Sequence, residues 1–448
     1  MGTPAREPSV SPDASEPDSR ARFALVGWLC GLSWVLYLDR ICMAQAIPPI
    51  QQELGLSNTQ VGYTLMAFTL AYGLFEMPSG RLGDRYGSRR VLVRIVIWWS
   101  IFTALTGAVT GLATLLLVRF LFGVGEAGAF PNVARVLGRW YPSTERGRVQ
   151  GLMLAAAQLG GVAAPTIAAY LIESLGWRWA FVVFGTFGLV WAAGFWFWFR
   201  DDPAEHPRVN QGELAKIREG KAAPPATIHG AIPWRHVLRN PGFWSLGGII
   251  LCSSFNSYFY NSWFPKYLVG SRGLGNTESG WLTSLVLMGS AIGVLVGGIV
   301  ADRISRSPRR VIGRRWLGRI AYFCGAIALF FATRCDQAWS IAALAGLSCL
   351  CVQMTLPTWW SAAIEQSGRH VGSLFGLLNM IGIFGALGSQ WFVGVFADWQ
   401  ASRGLSGREQ WDPLFYFFIG VLVLGMIGWS VYRIQPLPDG DEESHPAS

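Results

Sequence analysis

Two adjacent charged residues lie where a charged side chain is costly. Asp39 and Arg40 interrupt residues 23–50, a stretch that is otherwise almost wholly apolar and long enough to cross a lipid bilayer. An ionisable group at membrane depth costs at least about 2.5–3.5 kcal/mol, and such groups usually face the interior of a helix bundle or a water-filled path. Asp39 and Arg40 therefore need partners inside the protein.

The clearest partners are Arg119 and Glu126, which lie in a second apolar stretch. Their seven-residue spacing is about two helical turns, so both side chains project from one helix face, roughly 10 Å apart along the axis. The hypothesis is that these four charged groups meet in an internal cavity, as they would in a membrane transporter.

The composition supports a membrane protein with many spans. The chain has 448 residues, of which 52% are hydrophobic and 14% are charged, and its mean hydropathy is +0.35. Soluble domains carry about 25% charged residues. The net charge of +9 comes from basic residues dispersed among short loops, so it indicates membrane topology and excludes a nucleic-acid-binding surface.

The residues that usually build metal sites and disulfides are scattered. The seven cysteines have no C-x-x-C spacing, and the five histidines fall in predicted loops or tails. We therefore expect no disulfide framework, no metal site and no cofactor, and a membrane enzyme would lack a catalytic constellation.

Apolar windows of about 20 residues predict twelve spans. They lie near residues 23–48, 58–80, 90–108, 112–136, 148–172, 177–199, 241–268, 278–301, 316–333, 337–362, 371–396 and 412–433. The even number places both termini on one side of the membrane. Arginines cluster in the loops after the second, fourth and eighth spans, which predicts that this side is the cytoplasm.

The spans divide the chain into two halves. We expect a disordered cytoplasmic tail at residues 1–22, a six-span half at 23–199, a cytoplasmic linker at 200–240, a second six-span half at 241–433 and a cytoplasmic tail at 434–448. The linker is polar and proline-rich, and its segment ELAKIREGK favours a short surface helix.

A repeated turn follows the second span of each half. Residues 80–90 read GRLGDRYGSRR, and residues 298–303 read GIVADR. The first segment resembles the signature loop of the major facilitator superfamily, and the second resembles a degenerate copy of it. We assign gating and structural roles in these turns, and not ligand binding, to Gly80, Asp84, Arg85, Gly87, Arg89, Asp302 and Arg303.

Within that superfamily, the chain more closely resembles the anion:cation symporters, which include bacterial sugar-acid transporters and relatives of sialin and the vesicular glutamate transporters. Three segments carry the resemblance: Tyr37-x-Asp39-Arg40, Arg119-x-x-x-Gly123-x-x-Glu126, and Trp140-Tyr141-Pro142 followed by Glu145-Arg146-Gly147. The resemblance implies that Asp39 and Glu126 exchange the coupling proton. It also implies that Arg40 contacts the substrate carboxylate and that Arg119 tunes the two acids.

Charge balance agrees with this assignment. With both acids ionised the four charges sum to zero, and one bound proton leaves a net charge of +1 that attracts an anion. Burial favours the protonated form of a carboxylic acid and a nearby guanidinium favours the ionised form, so such an acid can bind and release protons. The alternative is a purely structural cluster of ion pairs.

Neutral polar residues on other predicted spans are candidates for recognising the rest of the substrate. Each has an alternative role in packing or in the membrane-interface aromatic belt. The candidates are Tyr37, Tyr72, Gln158, Asn256, Thr358, Trp359 and Asn379. The superfamily's drug:proton antiporters have a Gly-Pro pair in the fifth span, whereas Pro165 here follows Ala164, which counts against drug efflux.

The predicted fold is all-α, with twelve spans in two pseudo-symmetric bundles. The predicted function is proton-coupled uptake of a small organic anion by alternating access, with a sugar acid such as a hexuronate, aldonate or aldarate as substrate. One alternative is an importer of an aromatic or dicarboxylic acid such as phthalate or tartrate. Another is a sensor or membrane enzyme. We expect a monomer in the cell inner membrane whose partners are the anion, protons and lipid.

Overall fold

The computed structural model describes residues 19–219, 234–367 and 371–433, which are helical and contain no β-strand. The predicted tail residues 1–18 and 434–448, and the linker residues 220–233, lie outside the described part of the chain. The first half contains α1 (Ala21–Leu54), α2 (Asn58–Tyr86), α3 (Ser88–Thr106), α4 (Leu112–Glu126), α5 (Ala129–Trp140), α6 (Ser143–Leu175) and α7 (Trp177–Trp198).

The linker contains a 3-10 turn (Pro203–Glu205), α8 (Gln211–Arg218) and α9 (Trp234–Arg239). The second half contains α10 (Pro241–Ser262), α11 (Phe264–Arg272), α12 (Asn276–Ser305), α13 (Arg310–Ala332), α14 (Ala338–Gln353), α15 (Leu356–Ser367), α16 (Val371–Ser402), α17 (Gly407–Trp411) and α18 (Pro413–Val431).

Nine helical segments within the described ranges are long and apolar enough to cross a membrane. The predicted spans at α2, α3 and α10–α11 complete the set of twelve, and the predicted fold class is confirmed. Charged residues at the ends of α2 and α3 lower their hydropathy.

Three predicted spans are broken helices. Gly128 has a left-handed φ of 87° and separates α4 from α5. Pro265 lies in the first turn of α11, and Pro357 lies at the start of α15. Proline lacks the backbone N–H that would continue a preceding helix, so it favours a new helix start at these positions.

The two halves repeat the same packing. In the first half α1 packs on α6, α2 on α4 and α3 on α7, and in the second half α10 packs on α16, α12 on α14 and α13 on α18. The halves meet where α2 packs on α16 and α6 packs on α12. This pairing is the pseudo-symmetry expected of two equivalent bundles.

The linker docks on the first half. Glu213 of α8 is fully buried and accepts hydrogen bonds from the backbone N–H groups of Ala21 (3.1 Å) and Arg22 (2.9 Å), which begin α1. His206 lies edge-on between Trp140 and Trp198, and burial lowers the pKa of its imidazole. The helix expected in the linker is present, but it is anchored to the start of α1. We call this end of the molecule the linker side.

The halves are in contact on the opposite side. Asp398 of α16 accepts hydrogen bonds from the backbone N–H groups of Asn58 (3.0 Å) and Thr59 (2.7 Å), at the start of α2. Gln45 of α1 donates to the carbonyl of Asn276 (2.8 Å) and to the hydroxyl of Ser279 (2.9 Å). These bonds close the interface between the halves away from the linker.

Glycines bring together the helices that form this interface between the halves, which we call the seam. A Cβ added at Gly62 would lie 2.7 Å from the carbonyl oxygen of Gln390, and one added at Gly280 would lie 2.8 Å from the carbonyl oxygen of Pro165. Any side chain at these two positions would push the halves apart.

Candidate functional site

Two connected cavities lie between the halves. The larger, of 720 Å³, is lined by residues of α1, α6, α10, α12, α14 and α15 and reaches Gln150 and Glu365 at the linker side. The smaller, of 160 Å³, lies among α1, α2, α4, α10 and α16. Tyr37, Ile41 and Asn261 line both cavities. The interior is therefore open toward the linker side and closed on the opposite side.

An ion pair between Arg40 and Glu126 lies beside the smaller cavity. The Nε of Arg40 donates to Oε1 of Glu126, and the guanidinium carbon lies 4.5 Å from the centroid of the Tyr72 ring. Arg40 Nη2 and Glu126 Oε2 are buried and have no other hydrogen-bond partner among the described residues. This pair can therefore take up a further ligand or a proton without first breaking other bonds.

The local fold explains where Glu126 lies. It is the last residue of α4, which ends because Ala127 leaves the helical conformation with a ψ of 137° and the left-handed Gly128 then redirects the chain. Gly123 lets α4 approach α2 closely, since a Cβ there would lie 2.6 Å from the carbonyl oxygen of Phe68. The carboxylate is thus held at a helix break, with 1% of the residue exposed.

Arg119 reaches the same cavity two turns earlier on α4. Its guanidinium lies 4.7 Å from the ring of Phe122 and 5.2 Å from that of Phe68, and the residue is 2% exposed. No carboxylate of the described residues forms an ion pair with it, and its Nε is without a hydrogen-bond partner. Arg119 is therefore a buried cation that lines the smaller cavity without a direct counterion.

Asp39 points away from the cavity. It is 1% exposed, lies beside Trp99 of α3 and interacts electrostatically with Glu126 and Arg119. Among the described residues the Trp99 indole is the one hydrogen-bond donor that acts on its carboxylate, and that contact lacks regular hydrogen-bond geometry. The structure thus brings Arg40, Arg119 and Glu126 together at the smaller cavity and puts Asp39 behind them.

The neutral residues singled out in the sequence divide into two groups. Tyr37 and Gln158 line the larger cavity, and the ring of Tyr72 covers Arg40. The others are not on the walls of either cavity. Asn256 and Thr358 are buried, Trp359 lies behind Trp360, whose side chain does line the larger cavity, and Asn379 is exposed.

Two further groups at the site were not selected from the sequence. Glu76 of α2 accepts a hydrogen bond from the hydroxyl of Tyr72 (3.2 Å) and interacts electrostatically with Arg40. Tyr258 of α10 lines the smaller cavity. The signal that could have found Glu76 is the one used for Asp39. Like Asp39, Glu76 is an acidic residue within a predicted span, here residues 58–80.

The residues assigned to gating lie at the linker side. A Cβ at Gly80 would be 3.1 Å from Pro131, and Gly87 has a φ of 84° between α2 and α3. Arg89 Nε donates to the carbonyl of Trp196 (3.0 Å). Arg85, Asp302 and Arg303 are exposed, and the side chain of Asp84 is outside what the structure describes.

Comparison with known proteins decides the family. The model of the Major Facilitator Superfamily matches residues 29–389, which is most of the chain. The chain belongs to the major facilitator superfamily.

Individual members of this superfamily match over nearly full length. The chain is 31% identical over 363 residues to the probable sulfoacetate transporter of Cupriavidus necator, covering 80% of this chain and 84% of that protein. It is 28% identical over 404 residues to the probable galactarate/D-glucarate transporter of Bacillus subtilis, covering 87% and 88%. The predicted resemblance to organic-anion carriers of the superfamily is confirmed.

A solved structure has the same fold. The crystal structure of a bacterial homologue of the human lysosomal transporter spinster, inward-facing and unoccupied, superposes with a TM-score of 0.77 at 19% identity, covering 93% of this chain and 97% of that one. Because the family and these relatives are transporters, the prediction that the chain is embedded in a membrane and is not an enzyme is confirmed.

Proposed function

We propose that this protein is a proton-coupled symporter that takes up a small organic anion by alternating access between its two halves. The observation that carries the proposal is the buried ion pair of Arg40 and Glu126 beside a cavity, with one hydrogen-bonding atom of each left unused. A purely structural pair would be expected to have its remaining atoms satisfied.

Proton coupling follows because Glu126 and the substrate carboxylate compete for Arg40. When Glu126 binds a proton it no longer holds the guanidinium, and Arg40 becomes free to pair with the carboxylate of a substrate. Asp39 and Arg119 contribute opposite charges close by, so one bound proton makes the sum of these four groups positive before the anion enters. Release of the anion then favours release of the proton, because the anion no longer compensates the charge of the bound proton.

A sugar acid is the substrate class that the larger cavity favours. Its walls carry amide and hydroxyl groups that can bond to several hydroxyls, contributed by Gln150, Gln158, Asn261, Ser290 and Gln353. A relative whose name specifies galactarate and D-glucarate supports a hexuronate, aldonate or aldarate.

An acid with two anionic groups is the second candidate. Arg119 lines the smaller cavity without a direct counterion, so a second carboxylate or a sulfonate would pair with it while the first pairs with Arg40. The relative named for sulfoacetate supports this class, to which tartrate and phthalate also belong.

The orientation and assembly are proposed on the same basis. We place the protein in the cell inner membrane with both termini in the cytoplasm, because the arginine-rich turns after α2, α5 and α12 lie at the linker side. The chain encloses its cavities between its own halves, which supports a monomer as the working unit.

The test is uptake into proteoliposomes with and without an inward proton gradient. The panel is sulfoacetate, D-glucarate, L-galactonate and D-glucuronate, each radiolabelled, assayed with wild type and Glu126→Gln. We expect wild type to accumulate at least one acid about tenfold or more under a gradient of one pH unit, because one proton per cycle without a net charge already supports tenfold. Glu126→Gln should exchange this acid across the membrane but should not concentrate it.

Glu53→Gln is the matched control, since Glu53 pairs with Arg178 and Trp177 on the opposite side, far from the cavities. It should accumulate the acid as wild type does. Uptake that ignores the gradient, with Glu126→Gln indistinguishable from wild type, would contradict the symport mechanism.

A further inference from the structure

Glu76 is a third acidic group at the site, and the charge balance of two acids and two arginines does not include it. It lies on α2 one turn nearer the linker side than Tyr72, because α2 runs from the opposite side to the linker side. The side chain is partly buried, and its Oε1 accepts the hydrogen bond of the Tyr72 hydroxyl at 3.2 Å.

Among the residues that the structure describes, one cation lies near Glu76. Arg40 of α1 interacts with it electrostatically, and so does the neutral Tyr258 of α10, which is also in range of Glu126 of α4. On α16, the described residues 371–397 include no charged residue, and α5 meets α2 through Pro131 and Asn132. Arg94 of α3 lies on the other face of α2 beside Pro78 and is not a partner.

Counting Glu76 changes the charge of the empty site. Within the described part of the chain, three carboxylates face two guanidiniums, so these five groups have a net charge of −1 when all are ionised. One bound proton brings it only to zero. A second proton is needed to reach the net charge of +1 that compensates a monoanion in a poorly hydrated interior.

We propose that Glu76 binds a second coupling proton, so that each anion moves with two protons and not one. This inference rests on the proposed function, because it takes Glu126 as the site of the first proton. The proton reaches Glu76 from water on one side of the membrane and leaves to water on the other, with no bond change in the substrate.

The geometry links the two acids through Arg40 and Tyr72. The guanidinium bonds to Glu126 and lies under the ring of Tyr72, whose hydroxyl bonds to Glu76. An anion that pulls Arg40 away from Glu126 also removes the nearest positive charge from Glu76. Both carboxylates then become easier to protonate in the same step, which couples the second proton to substrate binding.

The first measurement is proton uptake on substrate binding. Purified protein in weakly buffered detergent solution with a pH-indicator dye is mixed with whichever acid of the uptake panel binds, at a pH where the free site is ionised. We expect wild type to take up two protons per bound anion and Glu76→Gln to take up one. Glu126→Gln should also lose one proton, which tests the proposed function separately.

The second measurement is the charge moved per anion, obtained from the membrane potential that stops net flux in proteoliposomes. Wild type should carry one more positive charge per anion than Glu76→Gln, whatever the charge of the acid itself. Glu53→Gln is again the matched control, since Glu53 bonds to Arg178 and Trp177 within the first half and lines neither cavity. It should match wild type in both measurements.

The outcomes separate the two proposals. If Glu126→Gln loses a proton and Glu76→Gln does not, Glu76 is not a coupling residue and the one-proton symport stands. If neither variant differs from wild type, both proposals are wrong. Glutamine keeps the shape and the hydrogen-bond acceptor of Glu76, and a Tyr72→Phe variant that retains two protons would overturn the role given to the hydroxyl.

Discussion

At the scale of single residues, the sequence identifies which side chains are unusual but not where each one points. Asp39 and Arg40 were selected together because both are charged within an apolar stretch. Consecutive residues of a helix project about 100° apart, so two adjacent side chains need not face the same space. Arg40 lines the smaller cavity and Asp39 lies beside Trp99. Glu76 was missed because an acid near the end of a span resembles a residue at the membrane surface.

Replacing Asp39 by asparagine should separate a functional acid from a structural one. Among the described residues only the indole of Trp99 acts as a hydrogen-bond donor toward its carboxylate, so neutralising it loses at most one weak bond and removes a buried charge. We expect the Tm of Asp39→Asn in detergent to be unchanged or higher, while gradient-driven accumulation is lost. Thermal unfolding and the uptake assay measure the two effects on one preparation.

The comparison variant is Asp412→Asn, because Asp412 holds Arg272 in a direct ion pair at 3.0 Å. This variant should lower the Tm, since it breaks a real pair. A lower Tm for Asp39→Asn with accumulation intact would show that Asp39 is scaffolding.

At the scale of helices, apolar length predicted the spans well, whereas the contacts that set their relative positions were not visible. The breaks in three spans depend on single glycines and prolines that also occur within continuous helices, such as Pro78 in α2 and Pro165 in α6. The contact made by Asp398 could not be predicted from the sequence either. Nothing in its neighbourhood indicates that it meets the start of α2, more than 300 residues away.

Removing the carboxylate of Asp398 should weaken the closed seam. Three hydrogen bonds end on it, from two backbone N–H groups and the side chain of Asn58 (2.8 Å), in the manner of a helix N-cap. Loss of such a cap costs about 0.5–2 kcal/mol. Asp398→Ala should therefore shift the population toward the state open on the opposite side by roughly two- to thirtyfold.

Distances between spin labels on α2 and α16 near the opposite side would measure that shift. Asp336→Ala is the control, since Asp336 is exposed and pairs with Arg408 within the second half. Equal distance distributions for Asp398→Ala and wild type would mean that the cap does not hold the halves together.

At the scale of the whole molecule, the two halves enclose an interior that is open toward the linker side and closed on the opposite side. The helix pairs of the first half recur in the second, yet the charged groups at the site come mainly from α1, α2 and α4. The four charged residues selected in the sequence, Asp39, Arg40, Arg119 and Glu126, all lie in the first half, which agrees with this asymmetry. The sequence did not predict which side is open, since both states of a carrier share one sequence.

Labelling of a cysteine in the larger cavity should report that opening. In a variant whose native cysteines are replaced, Gln158→Cys should react with a membrane-impermeant maleimide faster from the cytoplasmic face, in inside-out vesicles, than from the outer face of whole cells. An acid that is transported should slow the reaction by occupying the cavity. Faster labelling from the outer face would overturn the proposed orientation.

The glycine seam on the opposite side has a consequence for how such carriers diversify. Three of its close contacts join glycines to backbone carbonyls, at Gly62 with Gln390, at Gly280 with Pro165 and at Gly394 with Asn58. Backbone atoms are the same whatever the cargo, so the moving surface is independent of the groups that select the acid. Substitutions in the cavity can therefore change the transported acid without altering the contacts between the halves. The same separation would let an engineered variant receive a new specificity.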